Sequence, residues 1–412
     1  MSRYLLLFGI FILSFLSHDL YAYGTASWQK NEDAVALLNQ QKFTQALALF
    51  LEADSEILGN QVIRTNIASS YLGAGQQQIH VGDYGHAAEL LEVGKAYNHE
   101  ESRFWLLRGI ALMKNGSFAE AESELNEAWA ISGDEPQVLQ CLGRLYYDTD
   151  RMLEAVSLWQ RALALEPGNE SLASQLEKAQ RELKVEKDLD HNYSGHFILS
   201  YAENSKADIG GAVLDALEEA YTWAGAKLGH YPERQIPVIL YTQRQFSGLT
   251  GSPEWAAGLY DGKIRLSIGG LTQVSSQVKA LLAHEFMHVV VHEMAGNKVP
   301  FWLNEGLAEL AARERHSPVL VQLPAALGNG TLFPIVELEG EFRTIDPKRI
   351  ALAYEQSLSF VSYLLERFGW YQMAEMLPLL REGKTISDAM VRIYGDYGTD
   401  YDSLQLDWRS QL

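Results

Sequence analysis

Between about residues 30 and 185, apolar and small residues recur at three- and four-residue intervals, the spacing that lines one face of a helix. The pattern also repeats on a longer scale. The segments FTQA (Phe43 to Ala46), YGHA (Tyr84 to Ala87), FAEA (Phe118 to Ala121) and MLEA (Met152 to Ala155) align, with their alanines 41, 34 and 34 residues apart. In the third and fourth units Trp105, Gly109, Ala121 and Ala128 return 34 residues later as Leu139, Gly143, Ala155 and Ala162, and Pro167 closes the fourth. Small residues at fixed positions let paired helices approach closely, and large apolar residues fill the spaces between them. The sequence therefore predicts stacked helix pairs sharing one continuous core. The first interval is the longest, which predicts an extended helix around Ile63–Val81. SLASQLEKAQRELK predicts a terminal helix that covers the last pair.

Residues 181–195 (RELKVEKDLDHNYSG) are charged and lose this periodicity, which places a domain boundary there. HFILSY and IPVILYT then read as short strands separated by a helix from Gly211 to Leu228. KIRLSI, after the turn Tyr260-Asp261-Gly262, reads as a third strand, either purely structural or an edge for pairing with an extended peptide. From about Val274 to the C-terminus the pattern is helical. Strands first and helices after indicate α+β. The expected fold class is thus an all-α repeat solenoid at 30–188 followed by an α+β domain at 195–412. A chain of 412 residues, 47% hydrophobic and 21% charged, has the composition of folded domains.

The first residues stand apart. MSRYLLLFGIFILSFLSHDLYAYG has one basic residue, Arg3, then an apolar stretch from Leu5 to Leu16. That stretch is short for a bilayer and suits a secretory signal peptide at 1–22, with Ala22 the best last residue of the leader. An uncleaved N-terminal anchor in the inner membrane is the alternative. No cysteine follows the apolar run, and the single cysteine, Cys141, cannot form an internal disulfide. An exported chain without disulfides fits the periplasm. No other stretch has the length and apolar character to span a membrane. The net charge of −20, from 33 basic and 53 acidic residues, disfavours nucleic acid and anionic membranes as partners.

The chemistry begins at HEFMH, 284–288. In a helix, His284 and His288 lie one turn apart on the same face. Two neutral imidazoles at that spacing can hold one Zn²⁺, with Glu285 beside them as a candidate general base. Their segment, SSQVKALLAHEFMHVVVHEM, meets no glycine or proline until Gly296. GNKVP reverses the chain, and Pro300 precedes a second helical stretch, WLNEGLAELAARER, in which Glu305 and Glu309 share a face. Two such helices packed antiparallel can bring Glu305 against the imidazole pair. That arrangement leaves a fourth position for water, as in catalytic zinc sites. His292 continues the stripe, but each four-residue step drifts by about 40°, so it is expected beside the site or at the surface, off the metal.

These motifs resemble known families. The repeat region, over about 150 residues, resembles tetratricopeptide repeat proteins, which implies a curved helical scaffold holding a peptide or a partner protein. Repeats that only dock on the second domain are the alternative. HEFMH followed by WLNEGLAE resembles the gluzincin metallopeptidases, which include thermolysin and the zinc aminopeptidases. It is similar to the bacterial peptidase MA-like family, often fused to tetratricopeptide repeats. The similarity extends over roughly 195–412 and includes AGLYDGKIRL and AYEQSLSFVSYL. The metzincin pattern does not fit, because Val291 and Met294 stand where it needs Gly and His.

The resemblance implies His284, His288 and Glu305 as zinc ligands and Glu285 as the base that takes a proton from metal-bound water. It implies Glu309 as a carboxylate that fixes one imidazole tautomer. Tyr354, in AYEQS, is the candidate donor to the oxyanion; a tyrosine lying simply on a helix face is the alternative. The expected function is an exported zinc-dependent peptidase that hydrolyses peptide bonds with metal-activated water, its repeats recruiting a peptide or protein substrate or partner. A non-catalytic adaptor or chaperone with a structural or relict zinc domain is the competing reading. A hydrolase acting on other bonds is a third, since a scaffold does not fix a substrate.

Overall fold

The computed structural model describes residues 26–202, 209–251 and 257–412; the leader expected at 1–22 lies outside them. The chain divides into two compact units, with the boundary between Tyr71 and Leu72. In the first, helices α1 (Ala26–Asn39) and α2 (Phe43–Glu56) pack as a pair. Ala34, Ala46, Phe50 and Ala53 are fully buried there. The extended helix expected from the long first interval is α3, Gln61–Val81, 21 residues long.

In the second unit the helices are α4 (Tyr84–Lys95), α5 (Ser102–Asn115), α6 (Phe118–Ser132), α7 (Pro136–Asp148), α8 (Met152–Leu165) and α9 (Glu170–Glu186). Helix α5 packs on α6, α7 on α8, and α9 covers α8. The 34-residue period has a direct physical form. A Cβ added at Gly75, Gly109 or Gly143 would lie 2.6, 2.7 or 2.4 Å from Leu91, Leu125 or Trp159 respectively. Each glycine is the hole that receives a large side chain of the neighbouring helix, and holes and knobs advance together by one repeat. This is the packing of a solenoid of stacked helix pairs.

Helix α9 continues through the stretch that loses periodicity in the sequence. Its buried face runs Leu172, Leu176, Ala179, Glu182, Glu186, so the helical spacing is unbroken and two glutamates stand in apolar places. Strand β1 (Asp190–Tyr193) follows directly. It is polar and largely exposed, and so carries no strand pattern.

Next come β2 (Phe197–Tyr201), α10 (Ile209–Leu228), β3 (Ile236–Leu240), α11 (Gln243–Thr250), β4 (Gly258–Tyr260) and β5 (Ile264–Leu266). The sheet order is β1-β2-β3-β5-β4. The inner strands β2, β3 and β5 are parallel, and β1 and β4 pair antiparallel on the two sides. Of the two readings of KIRLSI, the purely structural strand holds and the edge does not. Strand β5 lies between β3 and β4 with Ile264, Arg265 and Leu266 all buried, so it has no edge to offer a peptide. The terminal strand is β4, whose three residues are too few to give an alternating pattern.

The remaining helices are α12 (Ser276–Ala295), α13 (Phe301–Arg313), α14 (Gln322–Asn329), α15 (Ile350–Arg381, broken at Gly369), α16 (Ile386–Tyr394) and α17 (Tyr401–Gln411). One apolar core, from Phe197 and Val238 through Phe286 and Leu303 to Trp408, joins them to the sheet. Among the described residues no helix is long and apolar enough to cross a membrane.

A buried polar network ties α7 and α9 to the sheet. Arg265, on β5, donates through Nη2 to Tyr147 at 2.9 Å and Glu182 at 3.1 Å, and through Nη1 to Tyr241 at 2.7 Å and Glu186 at 3.2 Å. Its Nε reaches Asp261 at 3.1 Å, and Lys178 reaches the same carboxylate at 2.7 Å. The two glutamates of α9 are therefore buried because a guanidinium from the sheet meets them.

Candidate metal centre

Helix α12 starts at Ser275, whose side chain accepts a hydrogen bond from the Val278 amide. Leu282, Phe286, Met287, Val289, Val290 and Val291 are all fully buried. A helix apolar on nearly every side lies inside its domain, and that surrounding fixes the direction of its few polar side chains. Helix α13 packs against α12 and is anchored by fully buried Trp302, Leu303 and Leu307. Glu305 and Glu309 thereby come to face the α12 histidines.

The geometry converges on one point. Glu305 Oε2 lies 3.5 Å from His284 Nε2 and 3.6 Å from His288 Nε2. These three atoms are within 4.8 Å of one another. Nitrogen and oxygen ligands held at about 2.0–2.2 Å from a tetrahedral ion are about 3.4 Å apart, so both measured edges suit a single small cation. The far side of each imidazole is engaged. His288 Nδ1 meets Asn304 Oδ1 at 3.0 Å, and His284 Nδ1 lies 3.4 Å from Glu309 Oε1. An amide oxygen only accepts, so His288 carries its proton on Nδ1 and turns a lone pair on Nε2 inward. Glu305 Oε2 is buried and has no hydrogen-bond partner among the described residues. A buried, unmet carboxylate oxygen between two inward-facing nitrogens fits a divalent cation as its missing partner.

The electrostatics agree with that fit. Burial alone would push the His284 imidazolium down, but Glu305, Glu285 and Glu309 outweigh it and raise its pKa to about 9. Burial would push the Glu305 carboxyl up, but His288 and His284 hold it below its ordinary value. The site thus favours positive charge at its centre. Glu285 differs. Burial raises its pKa against the pull of His288 and His284, and Glu305 adds to the rise. A carboxyl moved upward in this way is better matched to exchange a proton near neutral pH.

A cleft of about 700 Å³ opens over these groups. Strand β4 supplies Gly258, Leu259 and Tyr260 to its lining, and Phe301, Phe342 and Tyr354 also contribute. A Cβ on Gly258 would come within 2.1 Å of Glu285 Oε1, so the strand passes over the carboxylate only because no side chain is there. Tyr354 reaches the cleft from α15. Burial, with Glu305, Glu285 and Glu309 nearby, pushes its phenol above the usual range, which keeps it a proton donor. His292 stands beside the centre, its ring 5.6 Å from that of Tyr260, and outside the ligand group.

All the residues singled out in the sequence are therefore brought together: His284, Glu285, His288, Glu305, Glu309 and Tyr354 line one cleft. The sequence reading missed Asn304 and Gly258. Asn304 precedes Glu305 in the same motif, and its adjacency to the ligand was the available signal. Gly258 gave none, because its role depends on a strand crossing over α12.

Residues 220–412 match the family model described as the peptidase MA superfamily. This C-terminal part is thus similar to the peptidase MA superfamily. The match starts inside α10 and includes the whole candidate ligand group, His284, His288 and Glu305. Among curated proteins none matches the chain at a significant level. The N-terminal region is similar to solved repeat proteins. A thermophilic TPR protein of Thermus thermophilus is 19% identical, over 38% of this chain and 99% of its own, with a TM-score of 0.24. MamA of AMB-1 is 21% identical, over 34% of this chain and 72% of its own, with a TM-score of 0.28. A MamA RS-1 double mutant is 15% identical, over 40% of this chain and 99% of its own, with a TM-score of 0.30. Scores at this level add nothing to the helix-pair packing described above.

Proposed function

We propose that the protein is a zinc-dependent peptidase of the gluzincin type. The observation that carries this reading is the buried, unpartnered Glu305 Oε2 at 3.5 and 3.6 Å from two imidazole nitrogens, with Glu285 on the adjacent wall of an open cleft. His284, His288 and Glu305 would hold the ion. Bound there, zinc supplies Lewis-acid polarisation of a carbonyl and a lowered pKa for water.

The chain's own residues do the rest. Glu285 Oε2 is buried without a partner among the described residues, so it is ready to accept the proton of the attacking water. It then returns that proton to the leaving amine. The Tyr354 hydroxyl donates a hydrogen bond to the developing oxyanion. Asn304 and Glu309 hold the two imidazoles in orientation. Strand β4, as the terminal strand, offers main-chain groups along which an extended peptide can lie.

The helix pairs fit a role in recruiting peptide or protein, as tetratricopeptide repeats do elsewhere. Export to the periplasm belongs to the same proposal and rests on Arg3 and the apolar run Leu5–Leu16. N-terminal sequencing of the protein from periplasmic extract tests that part, and an intact Met1 in a soluble fraction would contradict it. For the activity, the full chain is incubated with a complex peptide mixture and cut sites are read by mass spectrometry. Cuts that vanish on chelation and return with Zn²⁺ support the reading. An adaptor or chaperone would bind peptides and leave them whole.

A further inference from the structure

The cleft has a neighbour. A second cavity, of about 320 Å³, is lined both by helix-pair residues such as Tyr84 and Phe118 and by the C-terminal part of the chain. Tyr260, His292 and Gly296 belong to the linings of both spaces. Its charge is opposite to that of the chain. Among the described residues Lys114, Arg144, Arg234, Lys298 and Arg381 line it against two carboxylates, Asp148 and Glu293, whereas the whole chain carries −20. Cationic excess in a concave space focuses potential toward an anion.

Both carboxylates already face cations, Asp148 through one of its oxygens. Asp148 Oδ2 accepts from Arg144 at 2.8 Å, and Glu293 is held by Arg234 at 3.3 Å and His230 at 3.0 Å. Arg234 is the informative member. Its side chain is 8% exposed, and Nη2 donates to the Tyr260 hydroxyl at 3.0 Å and the Gly262 carbonyl at 3.4 Å. Its Nη1 is buried and has no hydrogen-bond partner among the described residues, and neither has Asp148 Oδ1. A buried guanidinium donor left without an acceptor is costly. The cavity thus holds one unmet cationic donor and one unmet acceptor, which an acidic peptide satisfies with a carboxylate and an amide N–H.

We propose that this chamber is a carboxylate-recognising subsite for peptides held in the cleft, with Arg234 Nη1 as its principal donor. A chain lying along β4 passes Tyr260 and places an acidic side chain or a terminal carboxylate against Arg234. The inference rests on the peptidase reading for what occupies the cleft, and it names the substrate class: peptides with a carboxylate at a fixed distance from the cut.

The test uses uncharged decapeptides, acetylated and amidated, the same sequence with one Glu at each position in turn, and the uncharged sequence with a free C-terminal carboxylate. The kcat/KM of each is measured with zinc-loaded full chain, wild type and Arg234→Gln, Arg234→Lys and Arg144→Gln. Binding of the same peptides to Glu285→Gln chains, with and without Arg234→Gln, is followed by fluorescence anisotropy.

Wild type should favour a carboxylate-bearing peptide over the neutral one about tenfold or more, the factor of one charge-assisted hydrogen bond. Arg234→Gln should remove most of that ratio and Arg234→Lys should keep part of it. Preference for one internal Glu position identifies a side chain as the source, and preference for the free terminus identifies the terminal carboxylate. Should Arg234→Gln not fold, Arg144→Gln carries the test, because the Arg144 side chain is about half exposed; it should lower the ratio severalfold. Equal handling of neutral and acidic peptides by wild type overturns the chamber while the peptidase reading stands. Absence of any cleavage overturns the peptidase reading, and anisotropy then decides the chamber. Tight binding of acidic peptides that Arg234→Gln weakens tenfold upholds it, and equal binding of neutral peptides overturns it.

Discussion

Replacing Gly258 by alanine tests whether β4 and Glu285 share the narrow space assigned to them. The added Cβ would lie 2.1 Å from Glu285 Oε1, 2.4 Å from Cδ and 2.8 Å from Cγ. Ordinary contact between such atoms is about 3.5 Å, so the carboxylate must retreat by about 1.4 Å. The atoms met are the end of a flexible side chain, and among the described residues Glu285 Oε2 has no partner to resist the movement. The fold should therefore lose less than about 1 kcal/mol. Activity should suffer much more, since misplacing a reacting group by about 1 Å costs on the order of 10²-fold. The assay is kcat/KM on a peptide that wild type cuts, with metal content and thermal midpoint measured on the same preparation. A hundredfold loss of kcat/KM with one metal ion retained is expected. Activity within about threefold of wild type would refute the placement of Glu285 beneath β4. Loss of the metal would refute the separation of base from ligands.

Four further changes have defined outcomes. Asn304→Ala removes the acceptor for His288 Nδ1 and should weaken metal binding about 10- to 100-fold in competition with a chelator; unchanged affinity would dismiss its orienting role. Tyr354→Phe should lower kcat about 10²- to 10³-fold with metal content unchanged, the loss typical of one oxyanion donor; an unaffected kcat would leave that donor to be found elsewhere. Arg265→Met strands Glu182 and Glu186 in the interior, where Arg265 itself is 1% exposed. It should cost about 3–5 kcal/mol by urea unfolding, and a loss below about 1 kcal/mol would show the network to be marginal. The same network sets an acid limit. Burial would raise the Asp261 carboxyl, but Arg265 and Lys178 hold it below its ordinary 3.8. A carboxyl with a depressed folded pKa contributes stability that is fully present above the unfolded value and disappears as pH falls through the folded one. Stability should therefore decline below about pH 4, and more gently in Arg265→Met. A urea midpoint flat from pH 6 to 3 would contradict the pairing.

The helix pairs were legible because close packing imposes a period on small residues, and Gly109 and Gly143 displayed it. The grouping of His284, His288 and Glu305 was legible because one helical turn fixes His284 to His288, and the short return through Pro300 fixes Glu305 against them. What the sequence concealed was set by tertiary partners. Glu182 and Glu186 look like solvent-facing residues until Arg265 arrives from β5. KIRLSI gave no sign of which side of the sheet it would face, and the three residues of β4 that cover it are too few to show a pattern. Asn304 and Gly258 act through single contacts across elements, and no periodicity records those. The Nη1 of Arg234, without a partner among the described residues, is likewise invisible until the repeats and the sheet are packed together.

The central claim is that His284, His288 and Glu305 hold one metal ion and that Glu285 moves the proton in peptide hydrolysis. The most direct measurement is a parallel digest of a peptide mixture by zinc-loaded wild type and Glu285→Gln, with metal stoichiometry determined on both. One zinc per chain is expected in each, with cuts by wild type and none by Glu285→Gln. Cuts at the same bonds by a zinc-loaded Glu285→Gln chain free of wild type would contradict the claim.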